Sequence, residues 1–145
     1  MKLVLQRVSR SAVFVEGAEL SRIGRGLLIL IGAEQGDTEA TAEALAEKTL
    51  NLRVFPDEAG KMNLSVTDVG GDLLVVSQFT LAGDCSRGRR PGFDRAAPPE
   101  EAGRLVRKFV EAVSRSGLTV REGRFGAHMA VEILNDGPVT FILEK

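Results

Sequence analysis

The chain of 145 residues is 43% hydrophobic and 27% charged, a globular composition that fits one domain spanning residues 1–145 and excludes two comfortable ones. Nineteen basic against twenty acidic side chains leave a net charge of -1, so no global basic field marks it for DNA or RNA, although a local patch on a neutral protein still holds a few phosphates. The single cysteine, Cys85, excludes an internal disulfide, and no basic start leads into an apolar signal core, which makes a reducing cytoplasm the expected setting.

In chain order, residues 3–8 alternate like a strand, and a second extended run at 11–16 reaches Gly17, a natural hairpin turn before a third run at 18–23. Residues 26–33 are nearly all apolar, as in a central strand covered on both faces. Like every apolar run here, they fall far short of the ~20 residues a membrane-spanning helix needs, so no membrane partner is expected. Asp37 or Thr38 then caps a helix with Ala42, Leu45, Ala46 and Thr49 along its inner stripe. Residues 52–55 read as a short strand ended by Pro56, and residues 72–81 as a longer one. The segment GDCSRGRRPGFDRAAPP at 83–99 has no periodicity and is the substantial loop. Pro98-Pro99-Glu100-Glu101 opens a second helix with Leu105, Phe109, Val110 and Val113 at helical spacing, and Gly117 ends it.

Two strands, at about 119–123 and 130–134, precede a last one after Pro138. Between them Asn135-Asp136-Gly137-Pro138 has the composition of a tight turn, because short polar side chains and glycine tolerate positive φ. Against a plain turn, the proline removes a donor where residues 139–142 should begin pairing, and Gly-Pro is one of few dipeptides that are cis at modest cost.

Many strands and two good helices predict an α+β fold: a single domain with a mixed, mainly antiparallel, barrel-like sheet. Two helices cover little more than one sheet face, while several strands are apolar on both, so the protein is expected to form a homodimer through its sheets. There is no internal repeat or linker, and the active site must lie within this unit or between two copies.

His128 is the only histidine and Cys85 the only cysteine, and no carboxylates stand in a metal-binding motif, so no metal is expected. The absence of a Gly-x-Gly-x-x-Gly, Walker or Gly-x-Ser-x-Gly pattern leaves no cofactor and no hydrolase elbow. His128 can serve as a lone general base, but without an orienting partner in view it reads first as structural. Arg87, Arg89 and Arg90 are either a solvated loop or a phosphate clamp. Ser77, Gln78 and Thr80 set three hydrogen-bonding side chains at the end of an apolar run, where each needs a partner or a ligand unless the strand is emerging into solvent.

SQFTL at 77–81, NDGPVTF at 135–141, QRV at 6–8, NLRVF at 51–55 and GKMNLS at 60–65, in order from the first strand to the last, resemble the D-aminoacyl-tRNA deacylases, the D-tyrosyl-tRNA deacylase family. The resemblance implies a hydrolase of the ester joining a D-amino acid, or glycine mischarged on tRNA(Ala), to the terminal ribose of tRNA. It implies a site at a dimer interface, where Ser77, Gln78, Phe79 and Thr80 of one subunit meet a cis Gly137-Pro138 of the other, whose carbonyl groups exclude an L-residue. Such a filter needs a rigid wall on one side of the α-carbon, since a mirror-image substrate offers the same functional groups. Phe125 and Met129, in RFGAHM, match a pattern beside the pocket and are placed to flank the terminal adenine of the CCA end; Arg7 matches a position that holds the Gly-Pro segment. RGRRPGF resembles the family's Lys-Gly-x-Arg-Pro-Ser-Phe, with Arg87 for lysine and Gly92 for serine.

An aminoacyl ester is already activated, so a tetrahedral oxyanion must be stabilised and a water positioned, and no strong base is required. Backbone N–H groups around Phe79 and Thr80 are candidates for the oxyanion hole, with Gln78 and Ser77 orienting ribose and adenine. Thr80 is a covalent nucleophile only if a base takes its proton; as a positioning donor it needs none, and the resemblance points to the ribose 2′-hydroxyl as the group that helps activate water. The alternatives are a non-catalytic module that binds the tRNA end and a protein-interaction dimer in which residues 77–80 are an edge strand.

Overall fold

A computed structural model describes the whole chain, Met1–Lys145. Eight strands and two α-helices follow in the order β1 (Lys2–Val15), β2 (Ala18–Ile23), β3 (Gly26–Gly32), α1 (Glu39–Asn51), β4 (Phe55–Pro56), β5 (Met62–Leu64), β6 (Asp72–Ser77), a 3-10 turn (Phe79–Ala82), α2 (Pro99–Ser114), β7 (Val120–Glu122) and β8 (Ala130–Glu144).

The main sheet has the order β2-β1-β3-β6-β7, and β8 pairs with β1 on its other edge. The first half of β1 pairs with β3 and its second half with β2, so the expected separate runs at 3–8 and 11–16 are one strand serving two neighbours. β3–β6 and β6–β7 are parallel and the other pairs antiparallel. The twisted sheet curls until its ends meet: the Ser21 hydroxyl of β2 donates to the Glu122 carbonyl of β7 over 2.9 Å. The result is the nearly closed, barrel-like α+β domain read from the sequence.

Both helices cover one face. Thr38 caps α1, its side chain accepting from Thr41 N–H at 3.2 Å while Thr41 returns the bond to the Thr38 N–H, and Ala42, Leu45, Ala46 and Thr49 are buried as expected. α2 starts with Pro99 in its first turn and buries Leu105, Phe109, Val110 and Val113 against Leu27, Ile29 and Ile31 of β3 and Leu73 and Val75 of β6. On the opposite face Leu28, Leu74 and Val76 join Val8, Val13 and Val15 of β1 in a second, smaller core. Much of the cover that was expected from a second subunit is therefore supplied by the chain's own curl. Four large apolar side chains of β8, Ile133, Leu134, Phe141 and Ile142, are left exposed. No helix is long and apolar enough to cross a membrane.

Residues 135–138 are not a turn between strands. β8 runs through them, pairing Asn135 with Val8 and Thr140 with Gln6, so residues 136–139 bulge out opposite Arg7 alone. Within the bulge Gly137 has φ +137° and the Gly137–Pro138 bond is cis. The Asn135 side chain bridges its base, accepting from Val139 N–H at 2.8 Å. Residues 52–54 also depart from expectation, since only Phe55 and Pro56 pair, with β5.

Candidate active site

β3 and β6 run parallel, with Ile31 opposite Ser77, and deliver their carboxyl ends to one place. There the expected strand 72–81 stops at Ser77. Gln78 makes a last sheet-like bond, its N–H donating to the Ile31 carbonyl at 2.8 Å, and the chain then tightens into the 3-10 turn. Phe79 and Thr80 begin that turn, and N–H groups at the start of a helical turn have no acceptor within it. Polar residues at the end of an apolar strand thus become a short turn presenting main-chain donors.

The Gln78 side-chain amide donates to the Thr80 hydroxyl. Thr80 is therefore tied to an amide, and no histidine or carboxylate able to take its proton is bonded to it.

Beside the turn lies a cavity of about 670 Å³, in the range of small-ligand sites. Ser77, Gln78, Phe79, Phe125 and Met129 all line it, so five residues picked from two distant segments come together. No carboxylate, lysine or arginine lines it, and His128 is its single titratable side chain. His128 is exposed at the cavity, not a packed structural residue. The Met129 sulfur accepts the Arg124 N–H at 3.3 Å and so braces the loop that carries Phe125.

Arg7, Gly137 and Pro138 do not line this cavity in their own chain. Arg7 is buried, and its guanidinium donates from Nη1 to the Val54 carbonyl at 2.6 Å and from Nε to the Asp136 carbonyl at 3.1 Å, with the Asp136 carboxylate at 3.2 Å. Arg7, matched by the resemblance to a position that holds the Gly-Pro segment, ties the bulge to the core through these bonds.

Arg87, Arg89 and Arg90 occupy the exposed tip of a hairpin whose base is closed by Asp84 and Gly92, bonded N–H to carbonyl in both directions at 2.8 and 2.9 Å. Hydrogen bonds from Ser86, first its hydroxyl and then its N–H, hold the exposed Asp84 carboxyl below its ordinary value. None of the three tip arginines enters an ion pair, whereas neighbouring Arg95 is held by Glu34 at 3.2 Å.

Residues 4–144 match the family model described as D-Tyr-tRNA(Tyr) deacylase. The chain belongs to the D-Tyr-tRNA(Tyr) deacylase family. It is accordingly a hydrolase. Among its deacylase relatives, the D-aminoacyl-tRNA deacylase of Heliobacterium modesticaldum is 60% identical over 144 residues, 99% of this chain and 96% of that one. That of Pelobacter propionicus is 58% identical over the full length of both. A solved structure titled "c-Myc DNA Unwinding Element Binding Protein" superposes with a TM-score of 0.94 at 45% identity, covering 100% of this chain and 99% of that one. Another, a probable eukaryotic D-amino acid tRNA deacylase, reaches 0.85 at 17% identity over 98% and 97%, and shares the fold.

A second aromatic ring, singled out by no motif, also belongs to the site: Phe93 lines the cavity and packs on Phe79, ring centroids 5.1 Å apart. It closes RGRRPGF, where the absence of periodicity hides which side chain turns inward.

Proposed function

We propose that the protein hydrolyses the ester of D-aminoacyl-tRNA, releasing the free D-amino acid and tRNA, that it also cleaves glycyl-tRNA mischarged on tRNA(Ala), and that it rejects L-aminoacyl-tRNA. The observation that carries this reading is the open N–H start of the turn at Phe79 and Thr80 beside a cavity that no carboxylate, lysine or arginine lines and that Phe125 and Met129 wall. The cavity suits a flat base: the terminal adenine sits against Phe125 and Met129, while Ser77 and Gln78 orient ribose and adenine. This places the ester carbonyl at the turn, where the two N–H groups stabilise the oxyanion as it forms. A single such donor is worth about 10²–10³-fold in rate. The terminal 2′-hydroxyl assists the attacking water, Thr80 positions, and no acyl-enzyme forms.

Chiral selection requires a second copy. Gly137 and Pro138 are exposed on a bulge outside their own chain's cavity, on the strand that also leaves Ile133, Leu134, Phe141 and Ile142 uncovered. A homodimer through β8 buries that apolar strand and brings the main-chain carbonyls of one bulge to the other subunit's cavity, as a wall against an L side chain. Glycine has no side chain to strike the wall and is accepted. Arg87, Arg89 and Arg90, free of acidic partners, meet phosphates near the CCA end.

The test is loss of the ester from D-Tyr-tRNA, L-Tyr-tRNA and glycyl-tRNA(Ala) incubated with the protein. Rapid loss from the first and third and none from the second is expected; equal rates on D- and L-Tyr-tRNA would overturn the chiral reading. A second reading, a nucleic-acid-end binder without catalysis, draws on the DNA-binding title of the relative at 45% identity, and binding without ester loss would favour it.

A further inference from the structure

Phe93 stands where two parts of the site meet. Its ring lies 5.1 Å from that of Phe79 at an interplanar angle of 58°, the tilted arrangement aromatic pairs prefer. Phe79 is 58% exposed and Phe93 39%, so neither ring is held by the core and each is the other's support. The contact is close enough to restrict what stands beside it. A β-carbon at Gly83 would come within 3.2 Å of Phe93 Cε1 and 2.9 Å of the Thr80 carbonyl oxygen, so only a residue without a side chain fits there. Gly83 in turn donates its N–H to that same Thr80 carbonyl at 3.0 Å.

Phe93 is itself anchored. Gly92, next to it, exchanges both main-chain bonds with Asp84, and the Phe93 carbonyl accepts the Ala96 N–H at 3.0 Å. The 3-10 turn is thus gripped twice by one hairpin: at its end through Gly83, and at its start through Phe79 and Phe93. We infer that Phe93 is a positioning residue for the hydrolysis. It fixes Phe79 so that the N–H groups of Phe79 and Thr80 stay aimed at one point, and it connects the arginine hairpin mechanically to that turn. The inference rests on the oxyanion role proposed above for the turn.

The experiment compares wild type, Phe93→Ala and Phe93→Tyr by steady-state deacylation of D-Tyr-tRNA and by backbone amide hydrogen exchange at residues 79–82. In Phe93→Ala kcat should fall about ten- to a hundredfold, since a misplacement of about 1 Å costs up to about 10²-fold, and exchange should quicken. Phe93→Tyr, which keeps the ring, should restore both, and the melting temperature of Phe93→Ala should stay close to wild type because the side chain is half-exposed. A raised KM with kcat and exchange unmoved would make Phe93 only a wall of the cavity and overturn the inference. A wild-type protein that leaves D-Tyr-tRNA intact would remove the proposed substrate, whereas an active wild type with unchanged kcat in Phe93→Ala removes this inference alone.

Discussion

The Arg7 guanidinium donates to the main-chain carbonyl of Val54 over 2.6 Å inside the protein, joining β1 to the segment that follows α1. The same side chain holds the Asp136 carbonyl at 3.1 Å, so one buried cation ties the bulge of β8 to the core. Arg7→Ala deletes both bonds and strands a buried carbonyl. Unfolding in urea should show a loss of about 2–3 kcal/mol. Arg7→Lys, a point charge without the planar fork, should recover only part of it, because one ammonium does not reproduce the two-sided contact. Unchanged stability in both variants would mean that the bulge holds its shape unaided.

Gly137 meets a different limit. Its φ of +137° is one that side chains rarely adopt, and an added β-carbon would lie 2.7 Å from Val139 Cγ2 and 3.2 Å from Arg7 Nη2. Gly137→Ala must therefore move the bulge, at about 1–3 kcal/mol. If the bulge is the chiral wall, deacylation of D-Tyr-tRNA should fall or attack on L-Tyr-tRNA should appear. The D to L rate ratio is the measurement, and an unaltered ratio in a folded variant would sink the idea.

These two residues also mark how far the sequence can be read. The helices were legible because burial follows a 3.6-residue period, and Leu105, Phe109 and Val113 mean the same thing in any tertiary setting. Asn135-Asp136-Gly137-Pro138 has turn chemistry, but whether such a stretch reverses the chain or bulges from it depends on what pairs with its flanks. Here Asn135 and Thr140 both find β1. Likewise the alternation of β1 cannot reveal that it serves two neighbours along one edge. For residues 77–80 composition alone leaves a ligand site and an emerging strand both open, and only the family resemblance points to them, as to 125 and 129, as site residues. Phe93 and the Val54 carbonyl were hidden because their roles lie in contacts with residues far along the chain.

The Thr80 hydroxyl has the Gln78 amide as its partner, and no base is bonded to it. Thr80→Ala should keep deacylation within about tenfold of wild type, the scale of one lost hydrogen bond. Replacing the terminal 2′-hydroxyl of the tRNA by hydrogen should be far more damaging. Rapid quenching followed by mass spectrometry should find no acyl group on Thr80; a trapped ester there would make it the nucleophile.

Arg87, Arg89 and Arg90 project from the hairpin tip without acidic partners. Each phosphate neutralised on a single strand contributes about 0.7 to the slope of log affinity against log salt, so the triple alanine variant should bind tRNA more weakly with a slope reduced by about 2. Its kcat at saturation should hold, because phosphate contacts position the substrate. An unaltered slope would leave the tip a solvated loop.

The proposed composite site would make its own demand on two copies. Gly137 and Pro138 lie outside the cavity of their own chain, whereas Gln78 lines it. Consider a dimer of one subunit carrying Gln78→Ala and another carrying Gly137→Ala, each variant impaired as its own homodimer. If the wall crosses the interface, one cavity receives both defects and the other neither, so purified mixed dimers should regain about half of wild-type turnover with the D to L ratio of wild type. If each site is complete within a chain, both cavities carry one defect and mixing restores nothing. Differently tagged subunits, co-expressed and purified through both tags, separate these outcomes, and a mixed dimer no more active than its parents would return the Gly137–Pro138 bulge to a role within its own chain.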